Sequence, residues 1–368
     1  MKSPPNVRIL SLFILAAFSI GFWGSSISTR HPFFSLQKLG CASEAAASGA
    51  VDELGAALRA AATAERTVII AVVNGAYAGP SGDAAGAPAM LDLFLESFRV
   101  GEGTRGLLGH LLVAAVDRTA YERCRSRRLH CVRLDGEGVD FEAEKMYMSV
   151  DFIRMMWRRT AFLGEVLRRG YSFIFTDTDV LWLRNPFRRL SSDAGVDLQI
   201  STDNFSRESS QENRYWINTG FYFVRSNPRT VALFRLWHAS RDRFPGQKEQ
   251  DVLVELIREG ALPTLGLRVG FLDTLLFSGF CQDSRDVAAV ATVHANCCRT
   301  ISAKVADLRS VLRSWKRWRR LRRRRLRAAG ASGGRGAVGG SVGAEVVPWH
   351  GDHAACFSSW AGVNDTRN

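Results

Sequence analysis

The stretch Tyr171–Phe187, YSFIFTDTDVLWLRNPF, ends a run of apolar and aromatic residues on two carboxylates that stand two positions apart. The run follows Gly170 and is short, aromatic and β-branched, which predicts a buried strand of an α/β sheet. Asp177 and Asp179 then follow at the carboxyl end of that strand, where ligands bind in open α/β sheets. Two such carboxylates repel each other unless a divalent cation, a shared proton or a neighbouring arginine such as Arg184 separates them.

Strand-like and helix-like runs alternate upstream of this stretch. TVIIAVVN (67–74), HLLVAAVD (110–117) and HCVRL (130–134) predict strands, and apolar residues recur at helical spacing from Lys145 to Arg169. Such alternation is typical of parallel βαβ units. The sequence therefore predicts an α/β fold in which the two aspartates lie at the edge of the sheet.

The amino terminus carries an apolar stretch. Residues 9–27 contain no charge and approach the roughly 20 residues that a membrane-spanning helix needs. No A-x-A-like cleavage site follows closely, which favours an uncut signal anchor over a cleaved signal. We therefore predict a cytosolic tail at 1–8, a transmembrane anchor at 9–27 and a stem at 28–65. The sequons at Asn204 and Asn364 are usable only if the bulk of the chain is lumenal.

The seven cysteines agree with such a compartment. Cys124 and Cys131 are close in sequence, and Cys281 can reach Cys297 or Cys298, so two disulfides can form in an oxidising lumen. Buried thiols are the alternative interpretation. The spacing of the cysteines does not suggest a zinc site, because no C-x-x-C pair occurs.

Composition and charge place the 368-residue chain among globular proteins, since 46% of its residues are hydrophobic. The net charge is +13, and the segment Arg313–Arg327 alone holds ten Lys and Arg and no acidic residue. Such a run by itself suggests nucleic-acid binding or nuclear import. A lumenal chain meets neither partner, so we predict no nucleic-acid binding and a solvated, basic and Gly-rich tail at 313–368. Contact with an acidic polysaccharide or with another Golgi enzyme is the alternative for that tail.

Five sequence blocks occur in a fixed order: MMWRRTAFLGEVLRRGYSFIFTDTDVLWLRNPF, NTGFYFVRSNPRT, PGQKEQDV, FLDTLLFSGFCQDSRD and HANCC. With them the chain resembles the plant nucleotide-diphospho-sugar transferase family, retaining glycosyltransferases related to cell-wall arabinosyl- and xylosyltransferases. The resemblance covers roughly residues 66–312. It implies a GT-A fold, which is a Rossmann-like mixed sheet flanked by helices. It also implies a Mn²⁺ cofactor, a UDP-sugar donor, a glycan or glycoprotein acceptor, and a single-pass type II Golgi membrane protein with a lumenal catalytic domain.

The resemblance also assigns roles to single residues. Asp177 and Asp179 correspond to the metal-binding pair, and His294 corresponds to a third metal ligand. Asn218 and Asp251 are the catalytic candidates, because they would face the donor sugar or the acceptor. The candidate contacts to the nucleotide and its phosphates are Asn74, Asp117, Arg158, Thr178 and Lys304.

Several of these residues have an ordinary structural alternative. Asn74 and Asp117 can cap loops, and Asp251 can serve as a favourable charge at a helix N-terminus. Arg158 can simply be solvated on its helix, Asn218 can belong to a tight turn, and His294 can be a structural histidine. Trp157 and Trp182 are predicted to be core residues rather than sugar-binding platforms.

Three classes of function fit the sequence. The first is a metal-dependent glycosyltransferase that moves a sugar, by resemblance a pentose, with retention of configuration. The second is a phosphatase of the haloacid dehalogenase type, but its required acidic G-D-x-x-x-D block does not follow the aspartates here. The third is a noncatalytic binding or anchor protein on a decayed transferase scaffold, against which the intact Asp177, Asp179 and His294 speak. We therefore predict the glycosyltransferase.

Overall fold

The computed structural model describes residues 52–79, 88–134, 141, 143–331 and 353–361. The predicted cytosolic tail, membrane anchor and most of the stem lie outside these ranges, as does the sequon at Asn364. Within the described ranges, no helix combines the length and the apolar character that crossing a membrane requires.

A seven-stranded sheet forms the centre of the molecule. In spatial order its strands are β3 (His130–Arg133), β2 (Leu111–Ala115), β1 (Thr67–Val73), β4 (Ser172–Thr176), β7 (Ile217–Val224), β6 (Leu198–Thr202) and β8 (Val269–Phe271). The first four strands are parallel, whereas β7 runs antiparallel to both β4 and β6. The sheet is therefore mixed, and its parallel half is the half that the strand-helix alternation predicted.

Helices flank the sheet. Their bounds are α1 Glu53–Ala61, α2 Gly75–Ala78, α3 Met90–Val100, α4 Arg118–Ser126, α5 Val150–Arg168, α6 Ser210–Asn213, α7 Pro228–Ala239, α8 Glu249–Arg258, α9 Ala261–Thr264, α10 Ile301–Ala331 and α11 Ala354–Ala361. Successive residues of β1 join different core clusters, because a strand directs alternate side chains to opposite faces. Val68 and Ile70 pack with residues of α1, α5 and α7, while Ile69 and Ala71 pack with residues of α3 and α4. The predicted α/β class, with a mixed sheet flanked by helices, is confirmed.

A second, three-stranded sheet begins directly after Asp179. Its central strand, β10 (Thr292–His294), runs antiparallel to β5 (Val180–Trp182) and parallel to β9 (Phe277–Gly279). The register pairs His294 with Val180, the residue that follows Asp179. This small sheet therefore brings together two segments that are more than a hundred positions apart in sequence.

The predicted boundary between stem and domain at residue 65 differs from the structure. Helix α1 lies within the predicted stem, yet Leu58 and Ala61 are completely buried in the core. Asp52, the N-cap of α1, accepts hydrogen bonds of 2.8 and 2.7 Å from Arg169. Because its apolar face packs on the domain, α1 belongs to the folded domain.

The predicted boundary at residue 312 also differs from the structure. Helix α10 continues through it to Ala331, with Trp315 completely buried. Lys316 pairs with Glu96, and the Arg319 guanidinium donates to the Val100 carbonyl. The first half of the basic run is therefore docked on α3 rather than solvated, because its aromatic and aliphatic parts pack while its charges find partners.

Three disulfides link the described residues. Cys124–Cys131 and Cys281–Cys297 agree with the predicted pairs, and Cys298–Cys356 was not predicted. The partners of the third bond are 58 positions apart, a separation that gives no pairing signal in the sequence. This bond holds α11 against the loop that follows β10.

Candidate active site

The ligand atoms of Asp177, Asp179 and His294 lie within 4.8 Å of one another. Two backbone hydrogen bonds position this cluster: the Asp177 amide donates to the Gly220 carbonyl at 2.7 Å, and the Ala295 amide donates to the Asp179 carbonyl at 3.0 Å. The cluster is therefore held between the central sheet and the small sheet, on rigid backbone.

Gly220 makes room for the cluster. A Cβ at this position would lie 2.3 Å from Cε1 of His294 and 2.8 Å from Oδ2 of Asp177. Both separations are far inside van der Waals contact. The sequence therefore needs glycine here because the side chains of the cluster occupy the place of its Cβ.

Positive groups offset the repulsion between the two carboxylates. The Arg159 guanidinium donates to Asp177 Oδ1 at 2.9 Å, and Lys304 Nζ donates to Asp179 Oδ2 at 2.7 Å. Nε2 of His294 lies 3.4 Å from Asp179 Oδ1. Arg184, the arginine suggested by the sequence, instead pairs with Glu102 at 3.2 Å and lies over the ring of Trp315.

Burial and charge set the protonation of these groups. Burial raises the pKa of Asp177 to about 6, because it outweighs the opposing effect of Arg159. Burial would also raise the pKa of Asp179, but Lys304 and His294 outweigh it and hold that pKa well below its usual range. Conversely, burial disfavours the charged form of His294, yet the Asp179 carboxylate raises the pKa of the imidazole. The pair therefore contains one carboxylate that ionises readily and one that ionises near pH 6.

The cluster fits a divalent cation. Asp179 Oδ1 is buried and has no hydrogen-bond partner among the described residues. A buried oxygen of this kind carries an energetic penalty that a metal ion would remove. Two carboxylates with one imidazole are a ligand set that suits Mn²⁺, which favours oxygen donors and accepts nitrogen. Asp177, Asp179 and His294 are therefore the residues that would hold the metal.

A cavity of about 360 Å³ adjoins the cluster, a volume within the range of small-molecule sites. Seven of the ten residues predicted from the sequence line this cavity: Asn74, Asp177, Thr178, Asp179, Asn218, His294 and Lys304. Asp117, Arg158 and Asp251 are not part of the lining formed by the described residues. The structure therefore brings seven of the ten predicted residues together at one cavity and places the other three away from its lining.

These three residues have other positions. The Asp117 carboxylate caps α4 by accepting from the Ala120 amide at 2.8 Å, and it also accepts from the Gly75 amide at 2.6 Å. Asp251 lies near Lys248, with 3.7 Å between Nζ and Oδ1. Arg158 is half-buried on α5, where one residue corresponds to a rotation of about 100°. For that reason the neighbouring Arg159, rather than Arg158, reaches the cavity.

Two hydrogen-bonded groups at the cavity contain residues that were not predicted. In the first, the buried Glu249 accepts hydrogen bonds from Arg159 at 2.5 Å and from the Thr219 hydroxyl at 2.8 Å. The Thr219 amide donates to Gln250 at 3.0 Å. The sequence did contain one signal for Arg159. This charged residue is spaced by three from the apolar Met156 and Phe162, so it lies on the buried face of α5 rather than on the solvent face.

In the second group, Asp203 Oδ1 accepts from Asn218 at 2.8 Å and from Asn296 at 2.7 Å. Asn218 in turn accepts from the Gly220 amide at 2.8 Å. The cavity therefore holds oriented amide and carboxylate groups next to the cluster. No local signal marked Asp203, because its partners come from distant parts of the chain.

Comparison with known proteins agrees with this geometry. Residues 106–308, over half of the chain, match the nucleotide-diphospho-sugar transferase family. An uncharacterised protein of Arabidopsis thaliana is 56% identical over 269 residues, which are 73% of this chain and 79% of the relative.

Two characterised enzymes match shorter regions. The UDP-galactose:fucoside alpha-3-galactosyltransferase of Dictyostelium discoideum is 32% identical over 97 residues, which are 26% of this chain and 15% of that protein. A beta-arabinofuranosyltransferase of Arabidopsis thaliana is 32% identical over 126 residues, which are 31% of this chain and 23% of that protein. The chain therefore belongs to the nucleotide-diphospho-sugar transferase family, and it is a glycosyltransferase.

Proposed function

We propose that this glycosyltransferase moves a sugar from a UDP-sugar to a cell-wall glycan or glycoprotein, with Mn²⁺ as cofactor and with retention of configuration. The observation that carries the proposal is the cluster of Asp177, Asp179 and His294 beside a cavity of ligand size. Similarity to the UDP-galactose-dependent galactosyltransferase supports a UDP-sugar donor, and similarity to the arabinofuranosyltransferase supports a pentose. We also propose that the mixed sheet and its flanking helices form a GT-A fold.

The cation, when bound, neutralises the charge that develops on the departing nucleoside diphosphate. The residues of the chain prepare the site for it. Arg159 orients the Asp177 carboxylate, and Glu249 holds Arg159 in turn. Lys304 adds a positive charge that can bind a phosphate oxygen, since the ammonium group lies at the cavity.

The amide and carboxylate groups next to the cluster suit the sugar. Asn218 and Asn296 are both fixed by Asp203, so their orientation costs little on binding. Amides and carboxylates offer the donors and acceptors that sugar hydroxyls require. Asn218 therefore keeps the sugar-binding role predicted for it, with Gln250 in place of Asp251 as the residue of α8 at the cavity.

A Golgi membrane protein of single-pass type II topology is the location that we propose. The uncharged stretch 9–27 would be the anchor, and three disulfides are typical of an oxidising lumen. Asn204 is exposed on the loop that follows β6, where the lumenal glycosylation machinery could reach it.

The test is the release of UDP by the purified full-length chain from a panel of UDP-arabinofuranose, UDP-xylose and UDP-galactose. Each donor is assayed with Mn²⁺ and with EDTA, in the presence of plant cell-wall oligosaccharides. The variants are Asp179→Ala and, as a matched control, Asp242→Ala, whose carboxylate is exposed and distant in sequence from the cluster. We expect metal-dependent release from one donor, a loss of at least a hundredfold with Asp179→Ala, and no loss with Asp242→Ala.

Calorimetry on the same samples tests the donor site without an acceptor. Mn²⁺-dependent binding of UDP is expected for the wild-type chain and for Asp242→Ala. Absence of such binding, together with no release from any donor, would contradict the proposal and favour a noncatalytic scaffold. Release of UDP that is unaffected by EDTA would contradict the role of the metal alone.

A further inference from the structure

Helix α11 brings an aromatic side chain to the cavity. Trp360 lines the cavity and is 44% exposed. The helix lies beyond residue 308, where the match to the family ends. The site is therefore completed by a segment that the family resemblance does not cover.

Four contacts fix α11 and its tryptophan. The Cys298–Cys356 disulfide ties the helix to the loop after β10, and the Cys356 amide donates to Asp307 Oδ2 at 2.8 Å. The indole N–H of Trp360 donates to the Cys297 carbonyl at 2.8 Å, and the Arg299 guanidinium lies 4.0 Å from the ring centroid. The ring is therefore held in one orientation before any ligand arrives, which lowers the entropy cost of binding.

The surroundings of the ring indicate the chemical class of its ligand. Arg299 lies over the ring, and the cavity that Trp360 helps to line also contains amide and carboxylate groups. A sugar presents C–H groups on one face and hydroxyl groups at its edge, so it satisfies both an aromatic ring and hydrogen-bonding neighbours. Ligand sites commonly combine such aromatic walls with a few oriented polar groups.

The place of α11 beyond residue 308 favours the acceptor over the donor, since the cluster proposed to bind the nucleotide sugar lies within the matched region. The segment that holds Trp360 follows Asn296, which is bonded to Asp203 in the polar group next to the cluster. Phe357 is 68% exposed and precedes Trp360 by three residues, so the two side chains lie on the same side of α11. Together they offer two exposed aromatic rings on one side of α11, of which Trp360 lies at the cavity.

We propose that Trp360, extended by Phe357, is the stacking platform for an oligosaccharide acceptor. This inference rests on the proposed function, and it adds the residues that select a polymeric carbohydrate. Trp157 and Trp182 cannot serve in this way, because they are buried in the core as the sequence predicted.

The experiment measures the binding of two ligands to the full-length chain. The first is UDP with Mn²⁺, and the second is a panel of oligosaccharides built from arabinose, xylose, galactose and galacturonic acid, each added in the presence of UDP and Mn²⁺. The variants are Trp360→Ala, Trp360→Phe and the control Trp216→Ala. Trp216 is 51% exposed and is not part of the cavity lining.

We expect Trp360→Ala to weaken binding of the best oligosaccharide by about tenfold, as the loss of an aromatic contact would. Trp360→Phe should restore most of that affinity, and Trp216→Ala should leave it unchanged. Binding of UDP should stay within about twofold in all three variants. In a transfer assay, Trp360→Ala should raise KM for the acceptor and leave kcat little changed.

Three outcomes would overturn the inference. They are equal oligosaccharide binding by Trp360→Ala and wild type, weakening of UDP binding rather than oligosaccharide binding, and no oligosaccharide binding by the wild-type chain. Failure of the proposed function is distinguishable from all three, because it appears as a loss of Mn²⁺-dependent UDP binding in the wild-type chain itself.

Discussion

Asp177 and Asp179 are two positions apart, yet their surroundings shift their protonation in opposite directions. Their position at the end of a buried strand left a cation, a shared proton or an arginine as the partner, and the family resemblance predicted both as metal ligands together with His294. The sequence could not predict that Arg159 would form an ion pair with one carboxylate and Lys304 with the other. Those pairings depend on how α5 and α10 pack, which no local pattern encodes.

The first prediction concerns pH. Metal binding requires deprotonated ligands, so protons compete with Mn²⁺. The pKa of Asp177 is raised to about 6 and the pKa of His294 is raised above its ordinary value. Asp177 therefore takes up a proton as the pH falls through about 6, and His294 takes one up at a higher pH than an ordinary histidine does. Because two ligands are then protonated, we expect the Mn²⁺-dependent affinity for UDP to fall by more than about tenfold per pH unit below 6, measured by calorimetry from about pH 5 to 8.

Two further measurements sharpen this prediction. UDP binding without Mn²⁺, followed over the same pH range, corrects for any effect of pH on the nucleotide. A metal-dependent affinity that stays constant from about pH 5 to 8 would contradict the assignment of Asp177 and His294 as ligands.

The second prediction concerns Gly220→Ala. The added methyl group would displace His294 and Asp177, so we expect the affinity for Mn²⁺ to fall by about ten- to a hundredfold. Overpacking should also lower the free energy of unfolding by about 1–3 kcal/mol. Gly106→Ala is the matched control, since a Cβ there meets nothing within 4 Å. Titration with Mn²⁺ checks the prediction, and equal metal affinity in the two variants would contradict it.

Secondary-structure elements were predicted more reliably than their orientation. Helix α5 was recognised from its apolar spacing, but its rotation placed Arg159 rather than Arg158 in the site. Strands β5, β9 and β10 have only three residues each, too few to show a period. The small sheet that positions His294 was therefore beyond sequence reasoning.

Asp197 shows how elements are joined. Its buried carboxylate accepts from Asn227 at 2.7 Å, from Arg229 at 2.7 Å and from the Arg268 amide at 2.9 Å. The bonds connect the start of β6 with α7 and with the segment that precedes β8. Burial would raise the pKa of Asp197, but these hydrogen bonds and the Arg229 charge outweigh it and lower the pKa.

The third prediction follows from that pKa. Because the folded-state pKa of Asp197 lies below its unfolded value, its contribution to stability is present above about pH 4 and is lost on acidification through the folded-state pKa. Asp197→Ala should lower the free energy of unfolding at neutral pH by about 1–3 kcal/mol, since it leaves buried donors unpaired. Urea denaturation at neutral pH and at about pH 3 should show a smaller difference from wild type at the lower pH.

Asp193→Ala is the control for this measurement. Asp193 also pairs with an arginine, Arg268 at 2.7 Å, but both side chains are about half exposed. Exposed ion pairs contribute little, so the free energy of unfolding should change much less than it does in Asp197→Ala. If Asp193→Ala lowered the free energy of unfolding as much as Asp197→Ala does, the role assigned to burial would be wrong.

At the scale of the whole molecule, the sequence predicted the α/β class but not the extent of the domain. Composition marked the region before residue 66 as a stem and the region after residue 312 as a basic tail. In the structure, α1 lies before the first limit but packs into the domain, α10 crosses the second limit, and α11 reaches the cavity. Composition describes what a segment contains, whereas packing depends on which face of it is apolar.

The fourth prediction compares two truncated chains, 52–368 and 66–368. They differ by α1, which buries Leu58 and Ala61 completely. We expect the free energy of unfolding of the shorter chain to be lower by about 2–5 kcal/mol, which is the typical cost of removing one buried leucine side chain. Guanidinium denaturation of the two proteins gives the difference directly.

Glu53→Ala in the longer chain is the matched control, because Glu53 is an exposed residue of the same helix. Its effect should lie within about 0.5 kcal/mol. Equal stability of the two truncated chains would contradict this prediction and would mean that α1 belongs to a stem outside the folded domain.

Helix α10 is 31 residues long, and its two ends contribute residues to two separate regions of the domain. Lys304, in its first turn, bonds Asp179, whereas Arg323–Arg327 near its other end are exposed. At 1.5 Å per residue, roughly 30 Å of helix axis separates the lysine from these arginines. If the arginines bind an acidic polymer, the bound segment would lie roughly 30 Å from the reacting groups, and only another part of the same polymer could reach them. Its capture would raise the local supply of carbohydrate without blocking the entry of a nucleotide.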